Sequence, residues 1–170
     1  MTPAPIPDDE AERLQALQAL MLLDTPPDER YERVVRFAAE QLDMPVALVS
    51  LVDGRRQWFK ARLGLGAPET PRDISFCGHA IMAPELFVIE DASLDPRFAD
   101  NPLVTGDPHI RFYAGAPVST PGGQRIGTLC VIDTVPRQLG AVERAVLEAL
   151  RGLVNEALAG RGDDGEEAAP

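Results

Sequence analysis

Two segments of this chain each contain a pair of strand-like runs joined by a turn signal, and they constrain the fold more than any other feature. The first, "PVALVSLVDGRRQWFKARLG", carries apolar and β-branched residues on both sides of Asp53-Gly54. Asp-Gly is typical of a hairpin turn because both residues tolerate positive φ. The second, "RFYAGAPVSTPGGQRIGTLCVID", has its turn at Pro121, Gly122 and Gly123. The patterns predict antiparallel strands at 46–52, 56–63, 111–119 and 125–133.

Three segments outside the hairpins have the apolar spacing of amphipathic helices. They are residues 10–22, the stretch "TPPDERYERVVRFAAEQLD" with Thr25 as its predicted N-terminal cap, and residues 139–158. Between the hairpins, residues 65–110 are rich in Pro and Asp, with a short helix predicted at 75–82 and a strand in "LFVIED". So long an irregular segment inside a compact domain is often a lid over a binding site.

These elements predict an α+β fold with a central antiparallel sheet. The terminal helices would cover one face of the sheet, and residues 65–110 would cover the other. A cleft between a sheet and irregular loops is where small ligands are usually held.

Length and charge limit the domain organisation and the partners. With 170 residues, 45% of them hydrophobic, the chain suits one domain, predicted at 10–159 with a flexible N-terminus at 1–9 and a disordered acidic tail at 160–170. The net charge of -11 disfavours nucleic acid and anionic membranes as partners. No apolar run is long enough to cross a bilayer and the start lacks the pattern of a signal peptide, so a cytoplasmic location is expected.

The order of the segments resembles that of a known family. Between the two hairpins stand "ETPRDISFCGHAI" and "VIEDASLDPRFADNPLVTG", and with the final helix they resemble the GAF domain, a small-molecule sensory module of signalling proteins. The resemblance covers about residues 12–158 and implies a six-stranded antiparallel sheet with helices on one face and a pocket on the other. The Asn-Lys-Phe-Asp-Glu signature of cyclic-nucleotide GAF domains is missing, and Cys77-Gly78-His79 departs from the pattern of bilin sites. The resemblance therefore names no cofactor, no metal and no particular ligand.

Several residues are candidates for the pocket. Cys77 and His79 stand two positions apart. Cys77 is either a packed residue under the pocket or a reactive thiol, and His79 is either a hydrogen-bonded helix residue or a ligand contact. His109, Arg111 and Tyr113 alternate, so they would share one face if a strand begins there. Arg111 would then either hold a planar or anionic ligand or pair with Asp91 or Asp95. The complete set of predicted ligand contacts is Trp58, Phe76, Cys77, His79, Phe98, His109, Arg111 and Tyr113.

The sequence leaves two alternatives open for Trp58 and for the face on which Cys130 lies. Trp58 would form either a pocket wall or the surface under the lid. In "RIGTLCVID", alternation places Ile126, Thr128, Cys130 and Ile132 on one face, but it does not say which face lines the pocket.

No catalytic motif is present: the chain has no glycine-rich phosphate loop, no HExxH and no nucleophile elbow. The resemblance to GAF domains implies a sensory domain that binds a small molecule, and the missing motifs favour a non-enzymatic one. The apolar stripes of the terminal helices, together with the resemblance, predict a homodimer through these helices that acts on a signalling effector in trans. Two alternatives remain. One is a thiol-based redox sensor or reductase that uses Cys77 with Cys130, and the other is a dimerisation scaffold that binds nothing.

Overall fold

The computed structural model describes the chain over residues 1–167, with side chains over residues 1–161. Its centre is one six-stranded antiparallel sheet with the order β3-β2-β1-β6-β5-β4. The strands are β1 (Val46–Val52), β2 (Arg56–Leu63), β3 (Glu69–Pro71), β4 (Phe87–Ile89), β5 (Phe112–Ser119) and β6 (Arg125–Asp133). The four hairpin strands agree with the sequence-based bounds to within one residue, which confirms the α+β fold, and the short edge strand β3 was not predicted.

Five α-helices and one 3-10 turn complete the fold within the described residues. They are α1 (Glu10–Ala19), α2 (Glu29–Leu42), α3 (Phe76–Ala80), α4 (Pro102–Thr105), α5 (Ala141–Glu167) and the 3-10 turn Ala92–Leu94. The cap predicted for α2 was wrong. Asp28, not Thr25, occupies the N-cap position, and its carboxylate accepts a hydrogen bond from the backbone N–H of Arg30 at 3.0 Å.

The two hairpins lie side by side because their first and last strands pair. Val46 of β1 lies opposite Ile132 of β6, and the ladder continues to Leu51 opposite Gly127. Consecutive residues of a strand point to opposite faces. This central pair therefore supplies side chains to both layers that cover the sheet.

One layer consists of the helices α1, α2 and α5. Their apolar residues pack on the sheet to form what we call the helix-side core, whose members from the helices include Leu17, Tyr31, Val35, Leu147 and Val154. The opposite layer is the crossover segment, residues 65–110, which carries α3 and α4. Its apolar residues form the cavity-side core, which includes Phe76, Ile81, Ala92, Phe98 and Val104.

The N-terminal residues 1–9 were expected to be flexible, but the structure shows several of them attached to the crossover segment. The backbone N–H of Thr2 donates to the carbonyl of Arg97 at 3.1 Å, and that of Ala4 donates to the carbonyl of Asp73 at 3.0 Å. The terminal ammonium group pairs with Asp100. This segment thus runs over the outer side of the layer that contains α3.

The C-terminal tail predicted at 160–170 overlaps the last helix. A disordered tail was predicted from residue 160, whereas α5 continues to Glu167. The last part of the predicted tail, residues 168–170, lies outside the described residues.

Candidate ligand site

A cavity of about 290 Å³ lies between the sheet and the crossover segment. The sheet lines it with Val46, Leu48, Gln57, Phe59, Thr70, Tyr113 and Ile132. The crossover segment and the residues that follow β2 line it with Leu65, Gly66, Ala67, Phe76, Cys77, Leu103, Asp107, Pro108 and Ile110. The cleft predicted on the face opposite the terminal helices is therefore present.

The alternation of each strand explains which side chains reach the cavity. In β1, Val46 and Leu48 face the cavity, while Ala47 and Val49 enter the helix-side core. In β5, Tyr113 faces the cavity between Phe112 and Ala114, which enter the helix-side core. The face that lines the pocket, which sequence alternation could not identify, is thus the face of Leu48 and Tyr113.

The cavity has an exposed rim and a buried floor. Gly66, Ala67 and Asp107 are exposed, whereas Phe76 and Tyr113 are completely or almost completely buried. The rim therefore opens between the residue 65–67 stretch and the residue 107–108 stretch. Of the described side chains that line the cavity, only that of Asp107 is charged.

A small polar cluster surrounds the sulfur atom of Cys77 at the floor. The Tyr113 hydroxyl donates a hydrogen bond to Cys77 Sγ at 3.2 Å, and the Thr128 hydroxyl donates another at 3.0 Å. Cys130 belongs to the same cavity-side core as Cys77, and the two thiols interact. Both cysteines are free and buried.

The cluster separates the pKa values of the two thiols. Burial acts to raise the pKa of Cys77, but the interaction with the Cys130 thiol and the hydrogen bonds accepted from Thr128 and Tyr113 outweigh burial and lower that pKa to about 7. Cys130 shows the opposite shift. Its interaction with Cys77 and its burial raise its pKa well above the ordinary value. The two neighbouring thiols therefore have pKa values that are shifted in opposite directions.

A second polar group lies on the β2 side of the cavity. The Gln57 amide donates to the Thr70 hydroxyl at 2.6 Å, and the Ser50 hydroxyl donates to the Gln57 carbonyl oxygen at 3.2 Å. Gln57 and Thr70 both line the cavity. Together with the Tyr113 hydroxyl, they give an otherwise apolar cavity a few polar groups that could orient a ligand.

Five of the predicted ligand contacts lie on the cavity side of the sheet. Phe76, Cys77 and Tyr113 line the cavity itself. Phe98 stacks on Phe76 with ring centroids 4.2 Å apart, and His79 contacts Phe98 edge to face at 4.7 Å. Phe98 and His79 therefore support the cavity wall without lining it.

The imidazole of His79 has a structural partner. Its Nε2 atom lies 3.3 Å from the Thr2 carbonyl oxygen, which can only accept, so the imidazole donates this hydrogen bond. Burial lowers the pKa of His79, the hydrogen bond to Thr2 opposes that shift, and the positive charge of Arg97 adds to it.

The other three predicted contacts lie elsewhere. Trp58 packs in the helix-side core on the opposite face of the sheet, with the Lys60 ammonium 6.0 Å from its ring centroid. It forms neither a pocket wall nor the surface under the crossover segment.

The prediction for His109 and Arg111 assumed a strand that begins near residue 109, but β5 begins at Phe112.

Without that strand, the side chains of His109 and Arg111 do not line the cavity with Tyr113. His109 is exposed and has a φ of 60°. Arg111 donates from Nη1 to the carbonyls of Val104 and Ile110, each at 3.0 Å. Its guanidinium thus fixes α4 to the start of β5, and it makes this contact instead of the predicted ion pair with an aspartate.

Sequence reasoning missed most of the apolar lining and the Gln57–Thr70 pair. The lining residues on β1 and β2 looked like ordinary strand residues, and only their face distinguishes them. One signal was available for Gln57, because a glutamine inside a strand that is otherwise buried needs a partner. Within the described residues, no group of three or more His, Cys, Asp or Glu side chains is placed to hold a metal ion.

The match to a family model agrees with the fold and the cavity. The sequence model of the GAF domain matches residues 26–158, which is most of the chain. This protein belongs to the GAF domain family.

A curated relative from Pseudomonas aeruginosa is named cyclic di-GMP phosphodiesterase. The two are 46% identical over 155 residues, which is 91% of this chain but only 26% of the relative. The chain therefore spans about a quarter of that protein's length.

Two solved structures show the same fold at low sequence identity. The GAF domain of a phosphoenolpyruvate-protein phosphotransferase from Coxiella burnetii has a TM-score of 0.65 at 18% identity, covering 91% of this chain and 97% of that one. A free methionine-R-sulfoxide reductase from Neisseria meningitidis, solved with its substrate, has a TM-score of 0.63 at 17% identity, covering 91% and 89%. Along residues 1–167, no helix has the length and apolar character needed to span a membrane.

Proposed function

We propose that this chain is a regulatory GAF domain that binds a small molecule in the cavity between its sheet and the crossover segment. The observation that carries the proposal is the cavity itself: about 290 Å³, lined mainly by apolar side chains, with Gln57, Thr70 and Tyr113 as polar groups. Such a combination of apolar walls and a few oriented polar groups is typical of small-ligand sites. A scaffold that binds nothing would fill this space with its own side chains.

The charge of the lining narrows the ligand class. Among residues 1–161, whose side chains are described, Asp107 is the one charged residue that lines the cavity, and no lysine or arginine of this range does so. A ligand with phosphate groups, such as the cyclic dinucleotide in the name of the Pseudomonas relative, would meet no cation there. The ligand that fits is a neutral or cationic molecule of modest size with one or two hydrogen-bonding groups.

Contacts from the crossover segment offer a route by which occupancy would reach α5. After α3, the carbonyl of Ile81 accepts a hydrogen bond from Arg125 Nε of β6 at 2.7 Å. The carbonyl of Pro84 accepts another from Arg151 Nη1 of α5 at 3.0 Å. A ligand that orders or shifts α3 would therefore bias the position of α5, provided that it binds the two arrangements with different affinity.

The partner proposals rest on the same helices. Phe37 of α2 and Val142 and Leu153 of α5 are large apolar residues that remain exposed. We infer a homodimer through this helical layer, which would deliver the signal to an effector in trans. The identity to the Pseudomonas protein supports an effector that takes part in cyclic di-GMP turnover.

The first test is native mass spectrometry of the chain purified from its own host, followed by mass spectrometry of the same sample after denaturation. A bound molecule that is lost on denaturation is expected and can then be identified. Thermal-shift screening with neutral and cationic small molecules covers a ligand that is lost during purification. A small molecule that binds the folded chain is expected to raise the Tm of the wild type, because binding shifts the folding equilibrium toward the folded state.

A matched pair of variants ties any ligand to the cavity. Leu103→Trp places a large ring in the cavity, whereas Leu94→Trp makes the same change on the exposed 3-10 turn of the same segment. The first variant should lose the ligand-induced shift in Tm and the second should keep it. If both variants keep it, the ligand binds elsewhere and the proposal fails.

A further inference from the structure

The two cysteines form an asymmetric pair at the floor of the cavity. Cys77 lines the cavity, whereas Cys130 is completely buried in the sheet and is absent from the lining. The sulfur of Cys77 accepts hydrogen bonds from the hydroxyl groups of Tyr113 and Thr128, and it interacts with the Cys130 thiol. The sulfur nearest the cavity is therefore the acceptor of two hydroxyl groups, and the second thiol lies behind it.

The donors hold the Cys77 sulfur in a fixed position. Tyr113 belongs to β5, and Thr128 and Cys130 belong to β6, the strand that pairs with it. On the other side, Cys77 belongs to α3, where Ser75 accepts a hydrogen bond from the N–H of Gly78 at 3.0 Å and caps the helix. A cysteine that served only to fill space would not need two hydroxyl donors directed at its sulfur, because buried thiols usually behave as small hydrophobes.

We propose that Cys77 is a thiol that reacts with small hydroperoxides entering through the cavity, and that Cys130 is its resolving partner. The inference goes beyond the proposed function. It uses the same cavity as a route of access, but it does not require that a ligand binds there.

The first step oxidises Cys77. Its sulfur attacks one oxygen of the peroxide, an S–O bond forms and the O–O bond breaks. The other peroxide oxygen leaves and takes the proton of Cys77, so that hydrogen peroxide yields one water and a sulfenic acid. Sulfur loses two electrons and the peroxide gains them.

The second step consumes the sulfenic acid. The sulfur of Cys130 attacks the sulfur of Cys77, an S–S bond forms and the S–O bond breaks. The oxygen leaves as water with the proton of Cys130 and that of the sulfenic acid. The product is a disulfide between α3 and β6, and it would fix α3 to the sheet at the floor of the cavity.

The environment of Cys77 limits which oxidants reach it. Its exposed fraction is only 2%, so access depends on the cavity. The apolar walls and Asp107 at the rim disfavour anionic oxidants. Hydrogen peroxide and small alkyl hydroperoxides are neutral and fit the space.

The test treats the full chain with hydrogen peroxide at neutral pH and follows each site by mass spectrometry of its peptides. The wild type should lose two hydrogen atoms and yield a peptide pair joined through Cys77 and Cys130. In Cys130→Ala, the sulfenic acid should persist and be trapped at Cys77 by a dimedone-type reagent. In Cys77→Ser, Cys130 should react about ten-fold or more slowly than Cys77 does in the wild type.

The chain contains its own reference for peroxide exposure. Met21 is 73% exposed and forms a sulfoxide without any special environment. If Met21 is oxidised while Cys77 stays reduced in the folded wild type, the proposal is overturned. It is also overturned if Cys77 reacts only in urea, since the cavity would then give no access.

Two further variants separate this inference from ligand binding. Leu103→Trp should slow the oxidation of Cys77, and Leu94→Trp should leave its rate unchanged. A chain that binds a ligand but keeps Cys77 reduced refutes the thiol reaction alone. A chain that oxidises Cys77 but shows no bound molecule and no Tm shift refutes the proposed ligand binding alone.

Discussion

The two faces of the sheet are built from the same strands but are filled differently. On the helix side, residues such as Leu51, Ala114 and Leu129 meet three helices and form one continuous apolar core. On the other side, Leu48 and Tyr113 face a short helix, irregular chain and a cavity. Regular helices can present an apolar stripe at the spacing that a sheet requires, whereas the irregular segment leaves space.

This difference assigns separate tasks to the two layers. The helix-side core supplies most of the apolar burial and so stabilises the sheet. The crossover layer packs less completely on the sheet, and it contains the cavity and the polar cluster around Cys77. The comparison can be tested because each layer offers substitutions that have a counterpart in the other.

The largest expected difference comes from truncating two leucines of the same strand. Leu51 enters the helix-side core and Leu48 lines the cavity, and both are at most 2% exposed. Leu51→Ala should reduce the free energy of unfolding by about 3 to 5 kcal/mol, and Leu48→Ala by about 2 to 3 kcal/mol, because Leu48 already lacks packing partners on its cavity side. Urea unfolding measures both values. Equal losses would show that the cavity side is as tightly packed as the helix side.

The next largest effect on stability is expected where α1 contacts the crossover segment, a contact that we call the seam and that consists of Glu10, Arg13 and Arg72. The Glu10 carboxylate of α1 binds Arg13 of the same helix and Arg72 of the crossover segment, and both arginines are almost completely buried. Arg13 also donates to the carbonyl of Val52 at 2.6 Å. Glu10→Gln leaves both guanidinium groups without their anion and should cost about 3 kcal/mol in urea unfolding. Glu12→Gln, an exposed change in the same turn, is the control and should cost less than about 0.5 kcal/mol.

The same carboxylate should give the seam a dependence on pH. Burial acts to raise the pKa of Glu10, but its hydrogen bonds to Arg72 and Arg13 prevail and lower the pKa from 4.5 to about 2. The stabilisation is therefore complete above pH 4.5 and is lost as the pH falls toward about 2. In Glu10→Gln this part of the acid dependence should disappear. If the variant and the wild type lose stability in parallel over that range, the carboxylate does not hold the seam.

The helix side and the central sheet could be predicted from sequence because their signals are local. The Asp53-Gly54 turn fixes the first hairpin, and the periodicity of α2 and α5 fixes the layer that covers it. One detail still escaped. Ile126 was assigned to the face of Cys130, but the register of β5 and β6 shifts between Val118 and Ser119, and Ile126 enters the helix-side core. An irregularity of this kind changes the face of a side chain and has no clear signature in the residues themselves.

The candidate site was predicted less completely because its geometry depends on long-range contacts. Cys77 and Tyr113 were identified as candidates, but nothing in their local sequence shows that a hydrogen bond joins them across 36 positions. Arg111 was misplaced because the start of β5 depends on pairing with β4 and β6 and not on the alternation that precedes it. Trp58 was misplaced because an aromatic residue in a strand suits either face.

A smaller effect is expected where the N-terminal segment lies on the crossover layer. The pKa of His79 is lowered from 6.5 by burial and by Arg97, against the opposing effects of the Thr2 hydrogen bond and of Asp95. The neutral imidazole is thus favoured in the folded chain, so its contribution is complete above pH 6.5 and is lost as the pH falls through the lowered pKa. Relative to His79→Gln, the wild type should lose stability as the pH falls below about 6.5, and urea unfolding at a series of pH values measures this. If the free energy of unfolding depends on pH in the same way in both proteins, protonation of His79 does not affect the stability of the fold.

The smallest expected effect on the free energy of unfolding concerns the outer surfaces of the two layers. Leu153 on α5 is 51% exposed and Leu94 in the crossover layer is 80% exposed, so a charge at either site should change monomer stability by less than about 0.5 kcal/mol. If the helical layer forms the homodimer, Leu153→Glu should shift the equilibrium to monomer, because a carboxylate at an apolar interface is costly to desolvate. Leu94→Glu should leave the dimer intact. Sedimentation velocity over a range of concentrations distinguishes these results: a wild type that stays monomeric refutes the dimer, and dissociation by Leu94→Glu alone would move the interface to the layer that contains the cavity.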